Sequence, residues 1–533
     1  MVPTVKDIAH LPVDRLPPLV HVPPVTKPFD VTIRPPGSKS LTNRALLLAA
    51  LAEGESVLTG ALADADDAQV MVRALRQLGA EIDVTPEVEP NGESCGNATI
   101  RVRGVGGRWK IKPGEVVTLN LNNAGTATRF LTAAAVLQPP ESGGIIIDGN
   151  ARMRERPIAE LVEALKQLGV AVEYRGREGY PPLVVRAHRS MDNLAAELTI
   201  GVAQSSQFVS GLLLAAAFLP RGLLLHLKEP VTSEAYVELT DGVLREAGVR
   251  PSSSWPQRAG YRSLKVWPIA ERIAPPLVPG SPASFAPFPL MPLPAFRIAI
   301  LPDKSALAFP LVATLIVSGA LLDIGMQGPL DHHAEHFEID RAVVDPRLWY
   351  SRYLSIKRVL DTPTLACTLR QMGLRSKGGW TRTLFLKGPM QVAPISVSLS
   401  KIPDETMALA VAAAFATGGS SELRGLHTLR VKETDRITAL VTELSKVGVT
   451  VEPFAYTDDG AHPDEGIHIF PPPHGIDCSP HAPAVEFDTY DDHRMAMSLA
   501  LIGLRRPNVY IRDPGCVRKT YPTFWRDLAK VYG

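Results

Sequence analysis

The sequence is poor in cysteine, carries almost no net charge and contains no apolar run long enough to cross a membrane. Its four cysteines in 533 residues show neither CxxC spacing nor the density of a disulfide framework, which favours a reducing, cytoplasmic setting. The formal net charge is +1, so no overall field would attract nucleic acid or a membrane surface. An almost continuous apolar stretch at 306–322 falls short of the roughly 20 residues that span a bilayer, so a core helix is the better interpretation. The first 24 residues are broken by prolines and do not form a secretory signal.

What the sequence does contain is a repeat, in which a polar cluster precedes an Ala/Leu-rich segment. The six copies begin at Ser38, Ala124, Ser205, Asp303, Asp404 and Asp491. Apolar residues occur on nearly every face of these segments, which predicts six buried helices. Their polar starts suit N-caps, and several starts also carry Lys or Arg. If these positive helix ends converge, they form a pocket for a highly anionic small molecule.

A second repeat supports the first, because a helical pattern ending in glycine also occurs six times. The glycines are Gly79, Gly169, Gly248, Gly373, Gly448 and Gly533. Glycine suits the position after a helix, and the alternating tails of three copies predict strands. The sequence therefore predicts an α/β protein of six units, which is too long for one ordinary core and favours two domains. The third and fourth glycines are 125 residues apart, which predicts an insertion of roughly 45 residues in unit four.

The segment PPGSKSLTNR resembles a phosphate-binding loop but lacks the glycine spacing of an NTP-binding P-loop. What remains is Lys39 and Ser40 at a helix start, with Arg44 one turn beyond Ser40 on the same face. These side chains either bind an anion or are the solvated charges of a capped helix, and both interpretations stay open.

Three arginines, Arg152, Arg154 and Arg156, occur between a strand-like run and a helix. Arginine binds carboxylate and phosphate through two parallel hydrogen bonds, so the cluster favours an anion site. Surface ion pairs with Glu155 and Glu160 explain the pattern equally well.

The segment RVKETDR is the sharpest charged cluster. It predicts a helix with Lys432 and Arg436 on one face and Glu433 beside them. Such a helix is either a solvated, salt-bridged face or a carboxylate held ionised among cations and ready for proton transfer. Asp404 offers a second carboxylate, so the acid and base roles could be divided between two groups. Further cations are Arg494 and Lys519.

The segment 331–336 contains His332 and His336, which would share a helix face. It is either a structural metal site or an ordinary His-containing surface segment, and the second is the more common case. No Ser-His-carboxylate arrangement and no catalytic context for a thiol is discernible.

Taken together, the segments resemble the family of 5-enolpyruvylshikimate-3-phosphate synthases. The resemblance covers almost the whole chain and is carried by PGSKSLTNRALLLAALA, NAGTATRFL, ARMRERPI, SSQFVSGLLLAA, IPDETMALAVAAAFA, RVKETDR, DTYDDHRMAM and DPGCVRKTYPTFW. It implies the two-domain enolpyruvyl transferase fold, with three βαβαββ-type units in each domain. It also implies transfer of the enolpyruvyl group of phosphoenolpyruvate to the 5-hydroxyl of shikimate 3-phosphate, with release of phosphate and without a metal or organic cofactor.

The resemblance assigns residues to both substrates and to catalysis. Shikimate 3-phosphate would be held by Lys39, Ser40, Arg44, Ser205, Ser206, Gln207, Ser233, Tyr236, Asp404 and Lys432. Phosphoenolpyruvate would be held by Lys39, Asn123, Gly125, Arg152, Arg436, Arg494 and Lys519. Asp404 would serve the 5-hydroxyl, Glu433 would transfer a proton at C3, and Lys39 would stabilise charge. Glyphosate is expected to occupy the phosphoenolpyruvate site.

The same resemblance predicts domains and motion. Units one to three would form a domain over 36–266, and residues 1–35 with 297–533 would form the other. A Pro-rich insertion at 267–296 would lie near the hinge. We expect ligand-driven closure at crossings near 34–36 and 296–303. We also expect a cytoplasmic monomer that binds neither nucleic acid nor membrane.

Some positions depart from the family pattern. Unit four has LPDKSALAFPL in place of a small-residue stretch, Ser233 and Tyr236 belong to Ser-Glu-Ala-Tyr rather than Ser-x-Pro-Tyr, and Thr428 replaces a common Asn. One alternative is the sister transferase that acts on UDP-N-acetylglucosamine. That enzyme typically has a Lys-Asn pair near its start, whereas this sequence has Lys39-Ser40, which argues against this alternative. The other alternative is a non-catalytic descendant that binds partners through the Pro-rich segment, against which the retained charged residues argue.

Overall fold

The computed structural model describes residues 2–88, 92, 94–201, 205–228, 231, 233–249, 251–252, 261–267, 292–324, 365–377, 385–458 and 462–533. The chain forms two compact units. We call Gly37–Leu301 the continuous unit, and Met1–Pro36 together with Pro302–Gly533 the discontinuous unit. The His-containing segment 331–336 and most of the Pro-rich segment, 268–291, lie outside the described residues.

The described helices alternate between two kinds, buried and amphipathic. The helices are α1 (Val5–Ile8), α2 (Lys39–Leu51), α3 (Asp66–Gln77), α4 (Gly125–Ala134), α5 (Ala159–Gln167), α6 (Ser206–Ala216), α7 (Glu234–Glu246), α8 (Lys304–Ile316), α9 (Leu365–Gln371), α10 (Thr406–Ala414), α11 (Arg436–Ser445), α12 (His493–Gly503) and α13 (Phe524–Ala529). Helices α2, α4 and α6 pack against one another inside the continuous unit, and α8, α10 and α12 do so inside the discontinuous unit. These six helices carry apolar residues on nearly all of their faces, and almost no face of them is exposed. The predicted six buried helices are confirmed.

Within the described ranges, the strands form six small sheets, three in each unit. The strands are β1 (Leu19–Val22), β2 (Asp30–Thr32), β3 (Glu55–Ala61), β4 (Glu81–Val88), β5 (Ser94–Arg103), β6 (Val116–Asn120), β7 (Gly144–Asp148), β8 (Val172–Tyr174), β9 (Leu183–Val185), β10 (Glu197–Ile200), β11 (Leu223–Lys228), β12 (Pro251–Ser252), β13 (Tyr261–Val266), β14 (Arg297–Ala299), β15 (Leu321–Asp323), β16 (Arg375–Lys377), β17 (Phe385–Lys387), β18 (Ser396–Ser398), β19 (Ser421–Arg424), β20 (Thr450–Asp458), β21 (His462–Phe470), β22 (Val485–Phe487) and β23 (Val509–Arg512). Five sheets have four strands, and the sheet β1-β23-β22 has three.

One unit of the repeat shows how the sheets are built. Strand β6 leads into α4 and then into β7, which pairs parallel to β6 with Thr118 opposite Ile146. Helix α5 follows, and the hairpin β8–β9 completes the sheet in the order β6-β7-β9-β8. The same order of elements recurs in β10 to β13 and in β18 to β21, so the βαβαββ pattern is confirmed.

Two sheets complete this pattern with a strand that precedes a crossing between the units. Strand β2 pairs parallel to β15 in the discontinuous unit, and β14 pairs parallel to β3 in the continuous unit. The chain leaves one unit for the other after Pro36 and after Leu301. The family resemblance predicts the second boundary between 296 and 297, whereas the pairing of β14 keeps the residues up to Leu301 in the continuous unit.

The six glycines of the second repeat adopt the left-handed backbone that a helix end requires, with φ between 79° and 111°. Gly79 also needs the absence of a side chain, because a Cβ there would lie 2.5 Å from Cβ of Lys110. Each unit has its own hydrophobic core, formed by the buried helices and the inner faces of its sheets. No helix in the described ranges combines the length and apolar character needed to cross a membrane.

Candidate active site

In the discontinuous unit, charged side chains gather at the N-terminal ends of the three buried helices. Asp303 caps α8 and Asp492 caps α12, each carboxylate accepting a backbone N–H, at 2.8 and 2.9 Å. Helix α10 follows a short 3₁₀-helix, Pro403–Glu405, that carries Asp404. Acidic groups are favoured here because they meet the positive end of the helix dipole.

Arg436 is the centre of this cluster and is only 1% exposed. Its Nη1 donates to Asp404 Oδ1 at 3.0 Å, and its Nη2 donates to Glu433 Oε2 at 3.0 Å. Its Nε donates to Asp492 Oδ2 at 2.8 Å. Burial would lower the pKa of Arg436, but the charges of the three carboxylates raise it above its ordinary value. One guanidinium therefore fixes three carboxylates through charge-assisted hydrogen bonds.

Asp404 is surrounded by cations. Lys432 Nζ lies 3.5 Å from its Oδ1, and Arg494 Nη2 lies 3.5 Å from its Oδ2. Burial alone would raise the pKa of Asp404, but Arg494, Lys432 and Arg436 together hold it well below its usual range. Asp404 is therefore a carboxylate across the physiological pH range.

Glu433 also lies between two cations. Its Oε1 is 3.2 Å from Lys519 Nζ, and its other oxygen accepts from Arg436. Lys519 ends the 3₁₀-helix Pro514–Lys519, and both side chains of the pair are at most 10% exposed. Each of the two predicted carboxylates thus has a cation within ion-pair distance, which suits proton exchange beside an anionic substrate.

The predicted helix over RVKETDR is wrong except at its last residue. Lys432 lies in extended backbone after a 3₁₀-helix, His427–Val431, and α11 begins only at Arg436. Asp435 is the N-cap, and its side chain accepts a backbone N–H at 3.1 Å, which fixes the helix start. Lys432 and Arg436 therefore share no helical face, and they reach the same carboxylate because the chain turns between them.

Glu405 is a buried carboxyl group that the sequence does not single out. It is 6% exposed, and its Oε2 has no hydrogen-bond partner among the described residues. Burial raises the pKa of Glu405 to about 8, with Arg494 opposing the shift and Asp404 and Asp303 adding to it. At neutral pH this carboxyl is mainly protonated, unlike that of its neighbour Asp404.

In the continuous unit, the first candidates lie at the start of α2. Lys39 Nζ is 3.0 Å from Asp67 Oδ2, and the Asp67 side chain is 4% exposed. The carbonyl of Ser40 accepts a hydrogen bond from Arg44 Nη1 at 2.9 Å. A buried carboxylate of α3 thus fixes the lysine that the sequence predicts to be catalytic.

Arg44 is 2% exposed, and its partners are neutral oxygens. Its Nε donates to Thr240 Oγ1 at 2.8 Å, and its Nη2 lies 3.0 Å from Ser210 Oγ and 3.1 Å from the carbonyl of Tyr236. The guanidinium carbon lies 5.1 Å from the centre of the Phe130 ring. Burial lowers the pKa of Arg44 to about 10, so it remains a cation at neutral pH. These hydrogen bonds join helices α2, α6 and α7.

The remaining polar candidates lie at the starts of α6 and α7. Ser205 caps α6 and accepts the backbone N–H of Gln207 at 3.2 Å. Gln207 Nε2 donates to Thr126 Oγ1 at 3.3 Å, which links α6 to the first turn of α4. Ser206 and Ser233 are both buried, and Ser233 precedes α7 with a left-handed φ of 53°.

Asn123 and Gly125 lie at the start of α4, next to the guanidinium of Arg156. Arg156 Nη1 donates to Asn123 Oδ1 at 3.1 Å, and a Cβ on Gly125 would lie 2.8 Å from Arg156 Nη2. Arg152, in contrast, pairs with Glu155 at 2.9 Å, and its side chain is 30% exposed. The structure therefore brings Arg156 against α4 and leaves Arg152 in a partly exposed ion pair.

The predicted residues thus fall into two clusters, one at the helix starts of each unit, and four further residues join them. These are Asp67, Arg156, Glu405 and Asp492. Asp67 and Asp492 have a sequence signal, since Asp at a predicted helix start favours an N-terminal role. Arg156 belongs to the arginine-rich segment, from which the resemblance selects only Arg152. Nothing in the sequence marks Glu405, because its burial is a product of tertiary packing.

Known proteins resemble this chain over nearly its full length. A family model described as EPSP synthase (3-phosphoshikimate 1-carboxyvinyltransferase) matches residues 25–257 and 356–528. A curated 3-phosphoshikimate 1-carboxyvinyltransferase of Thiobacillus denitrificans is 35% identical over 504 residues, which is 94% of this chain and 96% of the relative. A second such enzyme, of Ralstonia nicotianae, is 34% identical over 500 residues, which is 93% of this chain and 95% of the relative.

Solved structures show the same fold. An EPSP synthase of Acinetobacter baumannii matches with a TM-score of 0.62 at 24% identity, over 95% of this chain and 96% of that one. The enolpyruvyl transferase NikO of Streptomyces tendae matches with a TM-score of 0.60 at 17% identity, over 96% of both chains. With the same fold, a matching family model and near-full-length relatives above 30% identity, this chain belongs to the EPSP synthase family.

Proposed function

We propose that the protein transfers the enolpyruvyl group of phosphoenolpyruvate to the 5-hydroxyl of shikimate 3-phosphate and releases phosphate. The observation that carries this proposal is the cluster around Arg436, in which one buried guanidinium holds two candidate catalytic carboxylates beside further cations. Both substrates are phosphorylated carboxylates, which cations and helix N-termini favour. Family membership indicates which reaction is catalysed, and the cluster contains the acid–base and cationic groups that this reaction needs.

The reaction is an addition followed by an elimination. C3 of phosphoenolpyruvate gains a proton while the 5-hydroxyl loses its proton and its oxygen attacks C2, which becomes tetrahedral. C3 then loses a proton, the C2–O bond to the phosphate breaks, and the double bond forms again. We assign proton transfer at C3 to Glu433 and acceptance of the hydroxyl proton to Asp404, with Lys39 stabilising the developing charge.

The environment of Asp404 supports this role. In the free protein three cations keep Asp404 ionised and therefore weakly basic. An anionic substrate that draws Arg494 and Lys432 to its own oxygens would weaken this hold. The pKa of Asp404 would then rise toward its ordinary value, and the carboxylate would become a better base when the substrate is bound.

Residues of the continuous unit fit the binding of the acceptor. Arg44 is a buried cation whose hydrogen-bond partners carry no negative charge, so an anionic group of shikimate 3-phosphate would find it uncompensated. The serines at the start of α6 and Ser233 before α7 lie at helix N-termini, which favour phosphate. We assign these residues, with Gln207 and Tyr236, to shikimate 3-phosphate.

We further propose a monomeric enzyme of the cytoplasm that binds small molecules rather than nucleic acid or membranes. The low net charge and the sparse cysteines support this setting. Size-exclusion chromatography with light scattering would test the monomer, because a mass of twice 57.5 kDa would contradict it.

The test of the reaction is phosphate release from phosphoenolpyruvate by the purified protein. Shikimate 3-phosphate, UDP-N-acetylglucosamine and no acceptor are compared, with Asp404→Asn as the control for contaminating phosphatase. Release that requires shikimate 3-phosphate and disappears in the control supports the proposal. Release with UDP-N-acetylglucosamine would assign the sister reaction, and no release with any acceptor would refute enolpyruvyl transfer.

A further inference from the structure

The N-terminus of α4 differs from those of the other two buried helices in the continuous unit. Ser38 caps α2 and Ser205 caps α6, each side chain accepting a backbone N–H of its own helix. At α4 the N-cap is Ala124, and no side chain among the described residues caps the helix. The backbone N–H of Thr128 reaches the carbonyl of Ala124 at 3.0 Å, so the preceding N–H groups lie at the open, positive end of the helix dipole.

Arg156 lies against this open helix start and is 6% exposed. Its Nη1 donates to the carbonyl and to Oδ1 of Asn123, at 3.3 and 3.1 Å. A Cβ on Gly125 would lie 2.8 Å from Nη2 and 3.1 Å from Cζ of the guanidinium. The guanidinium therefore packs on the α-carbon of Gly125, and only glycine leaves it this room.

Arg156 differs from the two other arginines of ARMRERPI in its partners. Arg152 and Arg154 pair with carboxylates at 2.9 and 2.7 Å, and their side chains are 30% and 53% exposed. In the described part of the chain, Arg156 has only the two oxygens of Asn123 as partners, and its buried Nε has none. A buried cation beside the positive end of a helix is unfavourable unless an anion compensates both charges.

We propose that Arg156 is a further substrate-binding residue, whose guanidinium pairs with the phosphate group of phosphoenolpyruvate at the N-terminus of α4. The identity of this anion rests on the proposed function. The open backbone N–H groups donate to phosphate oxygens, while the guanidinium supplies the positive charge and a second pair of donors. Gly125 is then needed for two reasons, because a side chain would displace both the anion and Arg156.

The first test measures equilibrium binding of inorganic phosphate and of phosphoenolpyruvate to the full chain by calorimetry, without an acceptor. Arg156→Gln should weaken both by roughly 10- to 100-fold, the scale of lost hydrogen bonds to a charged group. Arg154→Gln, which removes an exposed arginine of the same segment, should stay within about twofold. Equal binding by Arg156→Gln and the wild type would overturn the proposal, as would an equal loss in both variants.

The second test separates anion binding from a purely structural clamp on Asn123. Arg156→Lys keeps the charge but loses the fork, so it should bind phosphate more tightly than Arg156→Gln at matched thermal stability. Gly125→Ala should weaken phosphate binding less in the Arg156→Gln background than in the wild type, because only the direct clash of the new side chain with the anion then remains. Independent, multiplying losses would contradict the proposed contact.

These binding measurements stay distinct from the test of the proposed function. If phosphate binds through Arg156 but no acceptor supports phosphate release, the reaction is refuted while the anion site stands. If phosphate release proceeds normally in Arg156→Gln with an unchanged KM for phosphoenolpyruvate, the anion site is refuted while the reaction stands.

Discussion

Replacing Glu405 by Gln should stabilise the protein, and the gain should grow as the pH rises. Burial raises the pKa of Glu405 to about 8, while in an unfolded chain the carboxyl titrates near its ordinary value of 4.5. Between these two values the folded protein holds a proton that the unfolded chain releases, so a rising pH favours unfolding. Glutamine has the shape of the neutral carboxyl and cannot ionise, so the variant avoids this loss of stability.

The magnitude follows from the difference between the two pKa values. Each unit of difference corresponds to about 1.4 kcal/mol of folding free energy once the unfolded chain is ionised. The cost to the wild type is then about 1.4 kcal/mol at pH 5.5 and about 4 kcal/mol at pH 8, and it vanishes well below pH 4.5. The stability advantage of Glu405→Gln should therefore grow by about 3 kcal/mol between pH 5.5 and pH 8.

The assay is urea unfolding of both proteins at these two pH values, followed by tryptophan fluorescence. Trp525 is buried in the same unit and reports its unfolding. Glu443→Gln is the matched control, because this buried glutamate accepts hydrogen bonds from Lys446, the backbone of Asp488 and Tyr490 at 2.6–2.9 Å. Replacing the Glu443 carboxylate by an amide removes acceptors for these hydrogen bonds, so Glu443→Gln should destabilise the protein. A stability gap between wild type and Glu405→Gln that is equal at both pH values would refute the reasoning.

Three further predictions concern catalysis, packing and motion. Asp404→Asn and Glu433→Gln should each lower the rate of phosphate release roughly 10²–10⁴-fold, and near-normal turnover in both would contradict their roles. Gly211→Ala should cost about 1–3 kcal/mol in thermal unfolding, because α6 packs on α4 there and strain follows from overpacking. A Cβ at that position would lie 3.1 Å from the carbonyl of Arg129 and 3.2 Å from Cβ of Ala133, and an unchanged melting temperature would count against this account. X-ray scattering should show compaction when shikimate 3-phosphate and a phosphate-site ligand are added, and an unchanged radius of gyration would argue against ligand-driven closure.

The sequence predicted the repeat well because the repeat is local. A segment with apolar residues on every face must be buried, whatever its neighbours are. A glycine after a helix can adopt the left-handed backbone conformation that ends the helix, and this depends on the glycine alone. The helix over RVKETDR was predicted less well. The charge spacing suits a helix that includes Lys432, but Asp435 is the N-cap and the helix begins only at Arg436. A local hydrogen bond decided between two patterns that the spacing leaves equal.

The candidate site divides in the same way. The motifs indicated Asp404, Glu433 and the cations around them, since their residue types suit an anionic substrate. The sequence could not indicate that one guanidinium, that of Arg436, joins three carboxylates from three separate segments. It also could not distinguish Arg156 from Arg152, because both lie in the same short segment and only packing buries one of them.

The sequence by itself determined that this protein is an α/β repeat of six units with buried helices and a set of charged residues at the helix starts. These are properties of composition and of neighbours along the chain, which the local backbone and the need to bury apolar surface convert directly into structure. Only the tertiary structure decided which charges meet, which stay exposed and which lose their ionisation, as Glu405 does beside the ionised Asp404. Those outcomes depend on desolvation and on distances of a few ångströms between segments that are far apart in the sequence.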